Sequence, residues 1–412
     1  MGDGSEAPRG GDLPPGSRPG ASATGTGLRR RRRRRRLGWA GLAVSGVLIG
    51  AAGAGFAAYA KLEGNITPDE AAAAELERYE AERPRSPVEG ARNILLIGSD
   101  SRSGADNADY GRDPGTERSD TVILLHLSAG REDATAVSLP RDLMVRIPDC
   151  RSPDGSRTGP VFAQLNFAFE TGGSACTIRT VEMLTRIRVD HHVVVDFQGF
   201  KRMVDAVDGV EICLPEPIRD QAARITLPAG RVVLDGEQAL GYVRARKSLG
   251  DGSDTERMAR QQEFLGTLAG KVLGNGVLLN PVRLYPVLDA ATSSLTTDPE
   301  LASLRGLYDL VRGLRDIPSE NVRFMTVPRE SYPEDANRDQ LAQPAARELF
   351  DRLRKDEPVT VENREREDTP DGYAPYGSDD TAPSEKGDSL ARASESPAPT
   401  YTGNTAAEDS CS

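Results

Sequence analysis

The stretch that decides the fold runs from Asn93 to Arg102 and reads NILLIGSDSR. Its first six residues form a short apolar run closed by glycine, which is typical of a buried β-strand. Further apolar runs of strand length lie at 121–127, 134–139, 193–197, 210–213 and 322–327. Helical stretches lie at 176–187, 200–207, 237–246, 254–273 and 299–315. Strands alternating with helices predict an α/β fold, in which helices flank a central mixed β-sheet on both faces.

Two aspartates stand at the ends of predicted strands. Asp100 follows the 93–98 strand, and Asp120 directly precedes the 121–127 strand. If these strands are antiparallel neighbours, both carboxylates lie at the sheet edge where open α/β sheets bind ligands. Two carboxylates at one edge repel each other unless a cation lies between them, and hard oxygen ligands suit Mg²⁺ or Mn²⁺. Either aspartate alone is better explained as a cap of a turn or helix.

Arginines also lie at element ends. Arg141 follows the 134–139 strand in the sequence LPRD, and Arg244 and Arg246 stand two apart in YVRAR. Two such arginines diverge on a helix but share a side on an extended segment, so we expect the helix to end near Val243. Asp142, next to Arg141, could act as a general base or could orient that arginine.

A helix rich in polar residues follows. Arg257 and Gln261 share one of its faces, because residues three and four apart are neighbours on a helix. Several arginines directed at one place repel each other unless a polyanion is bound, and arginine binds phosphate through paired hydrogen bonds. Each arginine alone is as well explained by a surface ion pair, worth about 0–1 kcal/mol. The joint pattern of two aspartates and several arginines favours a phosphate site.

Other chemistries lack their motifs. The chain contains no G-x-S-x-G, no H-E-x-x-H, no P-loop and no G-x-G-x-x-G sequence. With only three histidines, the chain does not fit the class of histidine-rich metal enzymes. We interpret the His191-His192 pair as structural. The net charge of −11 argues against a general nucleic-acid binder.

The N-terminal region indicates a membrane anchor. Residues 37–60 contain no charge and follow eight consecutive arginines, residues 29–36. As a helix this segment would be about 36 Å long, enough to cross a hydrocarbon core of about 30 Å. The positive-inside rule then predicts a cytoplasmic N-terminus and an extracellular remainder, a better explanation of the arginines than a nucleic-acid patch. A cleaved signal peptide is the alternative.

Composition divides the rest of the chain. We expect residues 1–36 to be a disordered cytoplasmic segment, 61–88 an extracellular stalk with a solvated helix, 89–357 a globular domain, and 358–412 a disordered acidic tail. Among the four cysteines, Cys150 and Cys176 flank a loop rich in glycine and serine, and we predict that they form a disulfide. Cys213 is expected to be a buried thiol.

Seven motifs, in order, carry a resemblance to a known family. They are NILLIGSDSR, RSDTVIL, SLPRDL, QLNFAFETGG, VDFQGF, LDGEQALGYVRAR and DTERMARQQ. Together they cover about residues 95–265, and the chain resembles the LytR-CpsA-Psr family. The resemblance implies an αβα sandwich behind one transmembrane helix, in the cell membrane. It also implies a Mg²⁺-dependent phosphotransferase that moves a glycopolymer from a polyprenyl-pyrophosphate carrier to the muramic acid 6-hydroxyl of peptidoglycan, with the lipid tail in an apolar pocket.

The resemblance assigns roles to individual residues. It makes Asp100 and Asp120 the metal ligands. It makes Arg141, Arg244 and Arg246 catalytic and pyrophosphate-binding, with the further pyrophosphate ligands Arg257, Gln261, Arg102 and Arg118. Two other functions stay open: a non-catalytic protein that binds lipid-linked glycopolymer or signals, and a hydrolase that cleaves the pyrophosphate lipid.

Overall fold

The structure is a computed structural model, and it describes residues 26–99, 119–152, 155–245, 254–273, 281–362 and 399–407. The chain divides into two compact units, residues 1–60 and 61–412. Helix α1 (Thr26–Asn65) forms the described part of the first unit and the start of the second. Residues 26–36 are therefore helical where we expected disorder, since arginine is a good helix former and the run continues into an apolar helix.

Within the described residues, one segment of α1 is long and apolar enough to cross a membrane. It is Ser45–Asn65, 21 residues with a mean hydropathy of 1.2. This segment overlaps the predicted span at 37–60 and fits a single-pass anchor. Its last turn, from Lys61 onward, belongs to the second unit.

A nine-stranded mixed sheet forms the centre of the second unit. In spatial order its strands are β1 (Thr67–Pro68), β14 (Leu295–Thr297), β9 (His191–Val195), β2 (Arg92–Ser99), β3 (Ser119–Leu127), β4 (Ala134–Leu139), β15 (Val322–Thr326), β19 (Thr400–Thr405) and β18 (Thr360–Glu362). Strand β2 is parallel to β9 and antiparallel to β3, whereas β4 is antiparallel to β3 and parallel to β15. The predicted mixed sheet is therefore confirmed.

Helices cover both faces of this sheet. Strand β3 sends Val122 and Leu124 into one core and Ile123 into the other, as the alternation along a strand requires. The first core is closed by α2 (Glu70–Arg78), α3 (Asn166–Thr185) and α9 (Ala345–Arg354). The second is closed by α6 (Asp254–Leu273) and α8 (Leu304–Arg315). The αβα sandwich predicted from the sequence is the observed architecture.

A smaller apolar cluster forms around Phe264, which is fully buried. It packs α6 against α4 (Phe197–Ala206) and α5 (Gly236–Arg244), and α7 (Pro281–Thr292) lies beside α4. The remaining strands pair in twos: β5 (Met144–Ile147) with β8 (Val161–Gln164), β6 (Cys150–Arg151) with β7 (Arg157–Thr158), β10 (Val210–Leu214) with β13 (Gly230–Leu234), β11 (Ile218–Asp220) with β12 (Ile225–Leu227), and β16 (Arg329–Tyr332) with β17 (Asp335–Leu341).

Residues 61–88 do not form the solvated stalk that we predicted. Leu62, Ala72 and Leu76 are buried, and β1 pairs with β14 inside the sheet. After α2, the guanidinium of Arg83 contacts both carboxylate oxygens of Glu182 at 2.8–3.1 Å. The alanine- and glutamate-rich composition suggested exposure, but its apolar side chains share the helix face that packs on α3.

The predicted disordered tail at 358–412 also contains ordered strands. Strands β18 and β19 are parallel to each other, and β19 is antiparallel to β15. Tyr401 is buried in the first core, and a Cβ on Gly403 would collide with the carbonyl oxygen of Phe324, so only glycine allows β19 to approach this closely. The six residues TYTGNT are locally strand-like, a signal hidden by the acidic composition around them.

The structure contains the predicted disulfide between Cys150 and Cys176. This bond fastens β6 to α3 close to the kink at Gly172 and Gly173. Cys213, expected to be a buried thiol, is instead disulfide-bonded.

Candidate active site

Five central strands end or begin at one edge of the sheet. The carboxyl ends of β2, β9, β4 and β15 meet there with the start of β3. Ser99, the last residue of β2, pairs with Ser119, so Asp120 lies at this edge, as the antiparallel arrangement predicts. Asp100 follows Ser99 in the sequence and lies outside the described residues.

Arg141 lies beside Asp120. Its Nη1 atom is 2.6 Å from Asp120 Oδ1, and the side chains are 22% and 27% exposed. The backbone is held as well, because the Asn166 N–H at the start of α3 donates to the Arg141 carbonyl at 3.1 Å. Two residues that the sequence marked separately are therefore brought together, with part of each side chain open to solvent.

Asp142 is a hub of hydrogen bonds. Its carboxylate accepts hydrogen bonds from Arg141 Nε at 3.3 Å, from Arg338 Nη1 at 3.4 Å and from the Gln164 amide. Gln164 and Arg338 are functional candidates that the sequence reasoning missed. Gln164 lies in the QLNFAFETGG motif, whereas Arg338 comes from the β16–β17 hairpin and nothing in the sequence connects it with Asp142.

Arg244 reaches the same edge from α5. A capping box of Asp235 and Gln238 begins this helix, and Arg244 is its last residue, close to the end predicted near Val243. The guanidinium carbon lies 4.6 Å from the ring centroid of Phe197. Phe197 begins α4 two residues after Val195, which pairs with Gly98 at the end of β2. Cation–π stacking thus holds Arg244 at the β9 end of the site.

Residues of helix α6 donate hydrogen bonds to the end of α5 and to β15. The Gln261 amide donates to the Val243 carbonyl at 3.1 Å, Arg260 donates to the Ala245 carbonyl, and the Gln262 amide donates to Thr326 Oγ1 at 2.8 Å. Gln261, which we expected to contact phosphate, is therefore engaged with the backbone beside Arg244.

Of the remaining predicted site residues, the structure describes one. Arg257 is on α6 and buried, with 6% of its surface exposed. Arg102, Arg118 and Arg246 lie outside the described residues, as Asp100 does. His191 and His192 contact Asp298 and Asp69 at 3.3 and 3.2 Å, in agreement with a structural role.

The arrangement is suited to a charged ligand. Adjacent strands lie about 4.8 Å apart, so β9 and β4, three spacings apart, place Arg244 and Arg141 on either side of an edge roughly 14 Å wide. Asp120 offers a carboxylate between them, the type of donor that a hard divalent cation prefers. An αβα sandwich with guanidinium and carboxylate groups at one sheet edge defines a class of α/β protein suited to phosphate esters.

The chain belongs to the LytR-CpsA-Psr family, because the model of the LytR_cpsA_psr family matches residues 62–355. This range includes the segment at 62–88 that packs into the domain. The family predicted from the seven motifs is therefore confirmed.

Two curated relatives illustrate the similarity. The probable cell wall biosynthesis protein LcpB of Corynebacterium glutamicum is 39% identical over 210 residues, which cover 50% of this chain and 47% of LcpB. The polyisoprenyl-teichoic acid–peptidoglycan teichoic acid transferase TagV of Bacillus subtilis is 29% identical over 210 residues, 50% of this chain and 51% of TagV. The chain thus matches about half the length of these curated relatives.

A solved structure supports the fold. The crystal structure of Bacillus subtilis TagV superposes with a TM-score of 0.51 at 22% identity, covering 65% of this chain and 98% of TagV.

Proposed function

We propose that this protein is a membrane-anchored phosphotransferase that moves a glycopolymer from a polyprenyl-pyrophosphate carrier to peptidoglycan. The observation that carries the proposal is the ion pair of Asp120 and Arg141 at the sheet edge, with Arg244 directed to the same edge. The relatives support the substrate class, since TagV is named as a transferase of teichoic acid to peptidoglycan. The anchor would be α1, with the arginine run cytoplasmic and the domain outside.

In the proposed reaction, a peptidoglycan hydroxyl oxygen attacks the phosphorus that carries the glycopolymer. A new P–O bond forms, the bond to the bridging oxygen breaks, polyprenyl phosphate leaves with the electron pair, and the hydroxyl proton is released to solvent or to the leaving phosphate. Arg141 and Arg244 would bind the non-bridging oxygens, where charge is held during phosphoryl transfer.

Asp142 fits a positioning role better than that of a base. Three donors take three of the about four acceptor positions of its carboxylate, and one of them is Arg141. A base needs a free lone pair directed at the reacting hydroxyl. We therefore assign Asp142 to the orientation of Arg141.

We further propose Mg²⁺, or Mn²⁺ in its place, as the cofactor. Asp120 offers an oxygen ligand at the edge, and Asp100 would be the second, so the donor set fits a hard cation. Bound there, the ion would neutralise charge on the phosphate oxygens.

The test uses the detergent-solubilised full chain with a polyprenyl-pyrophosphate saccharide and peptidoglycan. We expect D120N and R141A each to lower turnover by about 10²–10³-fold, the usual effect of losing one group that stabilises the transition state. R231A is the matched control, because Arg231 is an exposed arginine paired with Glu211 away from the site. Unchanged turnover in both site variants would refute the assignment.

Product analysis separates the other two functions. Wall-linked polymer supports transfer, and free phosphosaccharide indicates a hydrolase. Binding of the lipid without any product indicates a non-catalytic binding protein.

A further inference from the structure

Two hairpins beside the site carry aromatic side chains, of which Phe162 is exposed and Tyr332 is half-buried. Phe162 in β8 is 54% exposed, and its ring centroid lies 6.1 Å from that of Tyr332 in β16, with the rings inclined by 52°. Phe167, in the first turn of α3, is 39% exposed. Aromatic rings that stay accessible in a folded domain are suited to ligands with apolar faces.

This aromatic pair is fixed to the candidate active site. Gln164 of the first hairpin and Arg338 of the second both donate to Asp142. Phe162 stands two residues before Gln164 on the same face of β8, about 7 Å along the strand. The platform formed by Phe162 and Tyr332 is therefore continuous with the Asp142–Arg141–Asp120 chain.

The platform also carries positive charge. Arg146 is the cross-strand partner of Phe162 and is exposed. Among the described residues, no hydrogen bond or ion pair to its side chain is found. An exposed aromatic face with an adjacent guanidinium is complementary to a sugar ring that bears a carboxylate.

The position of the platform indicates which substrate it binds: the lipid-linked glycopolymer or the peptidoglycan acceptor. Arg244 stands at the β9 end of the edge, and the hairpins stand at the β4 end, with Asp120 and Arg141 between them. In-line displacement puts the nucleophile and the leaving group on opposite sides of phosphorus. If Arg244 binds the departing lipid phosphate, the hydroxyl must arrive from the hairpin side.

We infer that Phe162 and Tyr332 form a saccharide-binding subsite for the glycan strand of peptidoglycan, with Arg146 binding a carboxylate of that acceptor. The inference rests on the proposed function for the identity of the acceptor. The sugar rings would stack on the two aromatic rings and present a hydroxyl toward Arg141 and Asp120.

The experiment measures co-sedimentation of the detergent-solubilised full chain with purified peptidoglycan sacculi, a binding assay that needs no turnover. We expect F162A and Y332A each to weaken binding about tenfold, the effect of losing one well-placed contact. R146A should weaken binding and reduce its dependence on salt, because it removes one charge–charge contact. F162Y should retain binding.

The matched control is Y308A, because Tyr308 is 62% exposed on α8, outside the two hairpins. Its binding should equal that of the unmodified chain. Since Phe162 is mostly exposed, its loss creates no buried cavity, and a circular dichroism melt verifies the fold of each variant.

The inference would be overturned if F162A and Y332A both bind sacculi as tightly as the unmodified chain. It would also be overturned if these variants weaken binding of the polyprenyl-pyrophosphate saccharide and not of sacculi. A third contrary result would be a dimer of the unmodified chain in sedimentation velocity that F162A converts to monomer. If binding of sacculi depends on Phe162 but no polymer is transferred, the inference stands and the proposed function fails.

Discussion

Replacement of Tyr401 by alanine tests whether the strand near the C-terminus is part of the folded domain. Tyr401 is 7% exposed and belongs to the buried cluster of Phe350 and Leu353. Loss of a buried aromatic ring costs about 3–5 kcal/mol, because transfer and cavity terms add. That is a large part of the about 5–15 kcal/mol that stabilises a typical domain.

Tyr401→Phe is the matched control. The tyrosine hydroxyl is buried and has no hydrogen-bond partner among the described residues, and burial raises the pKa of Tyr401. Removal of an unsatisfied buried hydroxyl is expected to leave the free energy of unfolding unchanged or to raise it by up to about 1 kcal/mol. Y401A should therefore lower the free energy of unfolding, whereas Y401F at the same position should not.

The measurement is urea unfolding of the full chain followed by circular dichroism. The single tryptophan, Trp39, lies in α1, so its fluorescence would not report on the sheet. With a slope of about 2–3 kcal/mol per molar urea, Y401A should lower the midpoint by roughly 1–2.5 M. Hydrogen exchange should show protected amides at 400–405. Identical midpoints for both variants, with immediate exchange at 400–405, would refute the placement of β19.

Three further outcomes test the rest of the domain. R83A should lower the free energy of unfolding by about 3–5 kcal/mol, because it leaves the Glu182 carboxylate buried without its partner; a loss below 1 kcal/mol in urea unfolding would contradict this. Replacing Cys150 and Cys176 by serine should cost about 3–4 kcal/mol on the chain-entropy model for a 26-residue separation, and unchanged unfolding under reducing and oxidising conditions would argue against the bond. Burial lowers the pKa of His126, so the unfolded chain binds its proton first and stability should fall as pH drops below 6.5, by up to about 1.4 kcal/mol per unit of pKa difference; H126Q should flatten this dependence between pH 8 and 5.5.

The central strands could be predicted from the sequence because their signal is local. The NILLIG run and the 121–127 run are mostly apolar, as expected of strands that are buried on both faces. Their antiparallel pairing placed Asp120 correctly, because the ends of neighbouring strands share an edge. The same reasoning joined Arg141 to that edge from its position after β4.

Other features depend on contacts between distant parts of the chain. Arg338 contacts Asp142 across 196 residues, and no local pattern predicts that pairing. The resemblance assigned Gln261 to phosphate binding, and no local pattern predicted the hydrogen bond of its amide to the backbone of α5. Tyr401 was missed because composition averaged over the 55 residues of the acidic tail hides a strand of six.

The position of β19 has a consequence for biosynthesis. The neighbour that completes β15 is made only after residues 363–399, 37 residues beyond the end of β18. At about 5–20 residues per second, translation of that interval takes roughly 2–7 s. During those seconds the nascent domain has an open, pairing-competent strand edge, which is a known route to misassembly. The sheet is therefore completed late in synthesis. A ribosome that stalls in the acidic segment would leave an aggregation-prone intermediate with an unpaired strand edge.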